Sequence, residues 1–198
     1  MDKNSNAESC IEAYLNEIKN KLNIIPVFLH TDRGGEFSLK TFLSSLKSKG
    51  IWLKQGPPDL PQTNGVAKPF DQTLLTKIRC LLGQSNIPIK YWDEAASHAS
   101  VLFNHLPHRF LDMSTPSNML MKDNCNIEPI ISIDRFIPFS MKVLVKKQIT
   151  EAKLDKAGET LRALTFEKYS DGLRLLYPHS GRIRISRDYS VTKKQIKI

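Results

Sequence analysis

The sequence predicts an α/β fold, mostly helical in its first part and followed by a small β domain. Three patterns carry that expectation. Apolar residues recur at helical spacing in four segments before residue 105, a short apolar run at 24–29 has a buried strand's length, and beyond residue 130 the text alternates as strands do. With 198 residues, 40% of them hydrophobic and 25% charged, there is room for one domain with an appendage or for two small ones.

Taken in order, Ile11, Tyr14, Leu15, Ile18 and Leu22 form one stripe, which predicts an amphipathic helix over 8–22. The run Ile24-Ile25-Pro26-Val27-Phe28-Leu29 then delivers Asp32 to a strand end beside Gly34-Gly35. Residues 39–49 read as a helix with Phe42, Leu43 and Leu46 inward and Gly50 as its cap. A strand at 51–55 and a loop of turn formers at 56–61 lead to Asn64, an N-cap for a helix reaching Leu82 and stopped by Gly83. Pro69 falls in that helix's first turn, where its missing N–H would have been unpaired anyway. A further helix is expected over 92–104, packing Trp92, Ala95, Ala96, Ala99, Leu102 and Phe103, with His98 a packing or surface residue.

In the β part, Met141, Val143 and Val145 alternate against Lys142 and Leu144. A second strand region at 161–169 is followed by a hairpin, 173–177 and 182–186, around the turn Pro178-His179-Ser180-Gly181. Strict alternation would bury Ile183 and Ile185 and expose Arg182 and Arg184.

Composition narrows the function classes. No apolar run approaches the ~20 residues of a membrane span, and the first six residues lack a signal peptide's apolar core. An intracellular protein without a membrane partner is expected, with nucleus and cytoplasm undecided. Cys10, Cys80 and Cys125 are odd in number and widely spaced, which fits a reducing compartment. His105 and His108 stand without paired cysteines, so zinc spacing is absent. The net charge of +9 is uneven: residues 1–141 hold 15 Lys+Arg against 14 Asp+Glu, and residues 142–198 hold 14 against 6. That asymmetry points to a basic module facing a polyanion, a solvated basic tail being the alternative.

Two stretches carry the candidate chemistry: His30-Thr31-Asp32-Arg33-Gly34-Gly35-Glu36-Phe37, and Pro61-Gln62-Thr63-Asn64-Gly65-Val66-Ala67-Lys68-Pro69. Together they resemble the integrase core of copia-type (Ty/copia) LTR retrotransposons, whose corresponding pieces read approximately D-x-G-x-E-[FY] and P-x-x-N-G-[VA]-[AV]-E-[RK]. Weaker matches follow in the family's order: Trp92, Glu94 and Ala95; Asn104 and Pro107, with His105 replacing the usual Arg; Thr115-Pro116; and Ser186-Arg187-Asp188. The resemblance implies an incomplete RNase H-like integrase core over 1–125, mostly helical as preserved. A small SH3-like β-barrel would follow over 126–192, with 193–198 a tail. The helix over 8–22 matches the family's crossover helix, so the chain is expected to begin after the strand with the first catalytic aspartate and after the family's zinc module.

In that family two aspartates and a glutamate hold two Mg²⁺ ions. Asp32 matches the second aspartate, and the family's spacing from it lands on Lys68, where a glutamate belongs. Divalent cations of this kind need oxygen ligands. An ammonium offers no lone pair, and near a surface it opposes a divalent ion 4 Å away by about 8 kcal/mol. The resemblance therefore implies a remnant site in which Asp32 persists, Lys68 pairs with it, and no metal is retained unless Asp32 alone holds one. Glu36 lies on Asp32's own turn and not on the Asn-Gly helix.

Three readings of function remain. The first is a nucleic-acid-binding remnant in which Lys146, Lys147, Arg174, Arg182, Arg184 and Arg187 contact the phosphates of DNA or RNA. The second is a relic without activity, whose uncovered apolar face would leave it unstable or pair it with another integrase chain. The third is an active Mg-dependent integrase.

Overall fold

Helix α1 (Lys3–Leu22) ends where Asn23 adopts a left-handed φ of 54° and donates its N–H to the Lys19 carbonyl at 3.0 Å. The computed structural model describes residues 3–31, 40–56, 67–123, 136–146, 158–167 and 170–191. They fall into two units, Met1–Asp71 and Gln72–Ile198. The boundary expected at 125/126 lies outside the described residues.

In the first unit, β1 (Phe28–Thr31) and β2 (Trp52–Gln55) pair in parallel, Phe28 opposite Trp52. A parallel pair needs a crossover, and α2 (Lys40–Ser48) lies on it. The strand starts later than the apolar run suggests: Pro26 has no N–H, and the first bond toward β2 is Trp52 N–H to the Val27 carbonyl at 2.8 Å. At the end of α2, Gly50 takes φ +71°. Its N–H reaches the Lys47 carbonyl (3.0 Å) and Ile51 N–H reaches that of Leu46 (2.9 Å), a complete Schellman closure. Leu46 and Ile51 then share a core with Leu15 and Phe42, while Phe28 and Trp52 remain 57% and 70% exposed. The two-stranded ribbon thus buries one face.

Helix α3 (Ala67–Ser85) runs two residues past Gly83 and closes at Asn86, φ 53°. A helix interior tolerates glycine at modest cost, so Gly83 does not stop it. In the second unit a 3₁₀ turn (Ile89–Tyr91) enters α4 (Trp92–His105), and another (Arg109–Leu111) precedes α5 (Pro116–Asp123). Ile78 of α3 packs with Ala95 and Ala99 of α4. Trp92, expected in that packed face, is 60% exposed, because the buried stripe runs through Glu94, Ala95, His98 and Ala99 and Trp92 stands at its margin.

Five strands complete this unit: β3 (Lys142–Lys146), β4 (Gly158–Phe166), β5 (Leu173–Leu176), β6 (Ile183–Ser186) and β7 (Tyr189–Val191). They form an antiparallel sheet in the order β6-β5-β4-β3-β7. The outermost strands, β6 and β7, are joined by only Arg187 and Asp188, so the sheet must roll to bring its two edges near each other. Val143, Val145, Leu161, Ala163, Leu173 and Leu175 fill its inner face. Leu164 and Leu176 pack instead on Ile87 and Tyr91, outside that cluster.

The faces of β6 are the reverse of those expected. Arg184 is in register with the buried Leu175 and so turns inward, while Ile183 and Ile185 are 37% and 49% exposed. Glu159 makes the inward arginine tolerable: Arg184 Nη1 donates to its Oε1 at 3.0 Å.

Candidate nucleic-acid interface

Several hydrogen bonds tie the sheet, and the turn that leads into it, to the helices of its own unit. Arg162 Nη1 and Ser140 Oγ both donate to the Ser85 carbonyl at the end of α3, at 3.0 and 3.1 Å. Tyr91 Oη donates to the Gly181 carbonyl at 2.9 Å. The strongest is a fork: Arg174 on β5 donates through Nη2 and Nε to the two carboxylate oxygens of Glu94 on α4, at 2.6 and 2.9 Å. Its Nη1 meets Glu167 at 3.0 Å. The Glu94 hydrogen bonds, opposed by burial and helped by Glu167, hold the guanidinium's pKa above its ordinary value.

These contacts sort the six expected phosphate-binding residues. Arg174 is engaged by Glu94 and Glu167, and Arg184 by Glu159 and the Lys146 carbonyl (3.2 Å). Lys146, Arg182 and Arg187 are exposed. Lys147 lies outside the described residues. Lys146 ends β3 opposite Gly158, at the same end of the sheet as the β5–β6 turn, and Arg184's reach from β6 to the Lys146 carbonyl ties the two together. Arg182 follows that turn, so Lys146 and Arg182 share one end. Arg187 stands at the opposite end of β6.

Lys90 joins the first pair, and sequence reasoning missed it. Its Nζ lies 3.6 Å from where a Cβ on Gly181 would stand and 5.0 Å from the centroid of the Tyr91 ring. No local signal marks it: ninety positions separate Tyr91 from Gly181, whose hydrogen bond brings this turn to the sheet.

The remaining expected residues divide as follows. Asp32 lies outside the described residues, and with it the expected pairing to Lys68. Lys68 is exposed in the first turn of α3. His98 proves to be a packing residue, 1% exposed, its ring 5.2 Å from that of Phe136 and 5.5 Å from that of Phe139. Burial, opposed by a backbone hydrogen bond with Leu164, lowers its pKa to about 4. His105 Nδ1 and His108 Nε2 bond the carbonyls of Val101 and Phe103. Among the described residues no helix is long and apolar enough to cross a membrane.

No family model matches the chain. A retrovirus-related Pol polyprotein from transposon TNT 1-94 of Nicotiana tabacum is 33% identical over 91 residues, 46% of this chain. The chain spans 7% of that relative's length. Among solved structures, the cryoEM simian T-cell lymphotropic virus intasome in complex with PP2A regulatory subunit B56 gamma contains a similar chain. It superposes with a TM-score of 0.51 at 18% identity, over 93% of this chain and 62% of its own.

The chain resembles LTR-retrotransposon integrases. Its integrase-like α/β fold with a small β domain is the one anticipated from the paired motifs.

Proposed function

We propose that this integrase-like chain binds nucleic acid through the Lys146–Arg182 end of its β-sheet and does not carry out metal-dependent strand transfer. The observation behind the binding reading is the sorting of arginines. Arg174 and Arg184 are neutralised by acids of the same unit, whereas Lys146 and Arg182 are exposed together with Lys90 beside them. Exposed cations gathered at one end suit a phosphate backbone, which they hold without reading sequence. The rolled five-stranded sheet is read as SH3-like, with its strand β7 returning to β3.

The silent-site reading rests on Lys68. Its ammonium does not fit the place of a metal-ligating carboxylate, and no step is routed through a metal there. DNA and RNA both present the phosphate diester, and competition between the two duplexes separates them.

Gel-shift titration of the full chain across a salt series tests the binding reading. Affinity should fall steeply with salt, and Lys146→Glu with Arg182→Glu should weaken it at least tenfold and reduce the logarithmic salt slope by about 2. Salt-insensitive binding, or binding that the double variant retains, overturns it.

A further inference from the structure

We infer that Trp92, with Ile89 beside it, is a stacking site for one unpaired base of a nucleic-acid strand whose phosphates lie on Lys90 and Arg182. The inference rests on the basic end proposed above and adds the class of polymer, a strand with bases free of a duplex. It begins with one short turn. Ile89–Tyr91 form a 3₁₀ turn closed by Trp92 N–H to the Ile89 carbonyl. Side chains three apart in such a turn stand one above the other, so Ile89 and Trp92 share a side. They are 80% and 60% exposed.

Tyr91 holds this turn in place. It is buried, packs with Ile87 against Leu164 and Leu176, and donates its hydroxyl to the Gly181 carbonyl. One aromatic side chain thus anchors the turn to the sheet while the next in sequence is offered to solvent. An indole on so fixed a support loses little freedom on binding.

The neighbouring charges name the occupant. An exposed apolar residue alone needs no explanation, but Ile89 and Trp92 flank Lys90. Lys90 Nζ lies 3.6 Å from where a Cβ on Gly181 would stand, and Arg182 is the next residue. Cations that follow a backbone beside a ring that takes a base are the pattern by which proteins hold unpaired strands. Asp93, exposed directly after Trp92, decides which part of a nucleotide goes where. Its carboxylate repels a phosphate and tolerates an uncharged base, so the base falls to the indole and the phosphate to Lys90. Inside a duplex both faces of each base are already stacked, and the indole reaches a base only where pairing is absent. Single-stranded DNA and RNA share that ring face.

Indole fluorescence of the full chain tests it. Tryptophan occurs twice, at 52 and 92, so a Trp52→Phe chain reports on Trp92 alone. Oligothymidylate should quench that signal, whereas relaxed circular duplex DNA should bind without quenching; oligouridylate titrated in parallel tells RNA from DNA. Trp92→Ala should weaken oligothymidylate binding at least fivefold, leave circular duplex binding unchanged and keep the logarithmic salt slope, since no charge is removed. Trp92→Phe should restore most of the loss, which excludes misfolding as its cause. Oligothymidylate binding that leaves Trp92 unquenched, or that Trp92→Ala does not weaken, overturns the inference, assigns the patch to a protein contact and leaves the basic end standing. A chain that binds neither polymer overturns both.

Discussion

Arg174 and Glu94, eighty positions apart, meet as a two-toothed fork across the junction of β5 and α4. Glu94 is 4% exposed, so its carboxylate relies on this partner. Removing one member of such a pair strands the other.

Arg174→Ala should therefore destabilise the second unit by about 3 kcal/mol, the low end for a buried pair because Arg174 keeps partial solvent access. Arg174→Met combined with Glu94→Leu should recover most of that loss. Chemical denaturation, followed by amide exchange in α4 and β5, measures both. An undiminished Arg174→Ala variant would show that the fork adds nothing to the fold.

Stability should depend on His98 between pH 6.5 and about 4. The buried ring titrates at about 4, below its ordinary 6.5, so in this window the unfolded chain binds a proton that the folded chain does not. Its stabilising contribution is complete above pH 6.5, falls as acid is added, and is lost below about 4, a change of about 3 kcal/mol. His98→Phe should flatten this part of the profile. A profile equally steep in that variant would assign the acid sensitivity to other groups.

Two glycines should respond with opposite signs. Neither Gly50 nor Gly83 has an atom within 4 Å of an added Cβ, so packing does not decide. Gly50 has φ +71°, and Gly50→Ala should cost the first unit about 1 kcal/mol. Gly83 is helical, and Gly83→Ala should stabilise α3 by about 0.5–1 kcal/mol. Amide exchange in α2 and α3 reads the two effects separately.

With Mg²⁺ or Mn²⁺ and a preprocessed donor end, the purified chain should give no joined product. The exposed Lys68 can be changed to Glu with less than about 0.5 kcal/mol effect on stability, and the Lys68→Glu variant should likewise give no joined product. Joining by the wild-type chain, abolished in Asp32→Ala, would overturn the silent-site reading.

Much of the fold was legible because burial leaves a period. The stripe from Ile11 to Leu22, in which Leu15 is buried but Tyr14 stays 62% exposed, and the alternation of Val143 with Val145 each record one apolar face. Legibility failed where a neighbour supplied by another element decided the outcome. β6 turns its arginine inward because Glu159 waits there, and Trp92 yields the buried stripe to Glu94 and His98. The charge surplus after residue 141 located the basic region, yet whether an arginine is available depends on acids far away in sequence. Glu94 removes Arg174 from the surface, while Gly181 recruits Lys90 through Tyr91.

The carbonyl of Ser85 receives both Arg162 and Ser140, so the last turn of α3 is moored to the strands at two points. Arg162 is itself a residue of β4, so that mooring reaches the sheet directly. A polymer seated on the far end of the strands would swing α4 and its neighbours with it as one lever arm, and its orientation would be transmitted to them without slack.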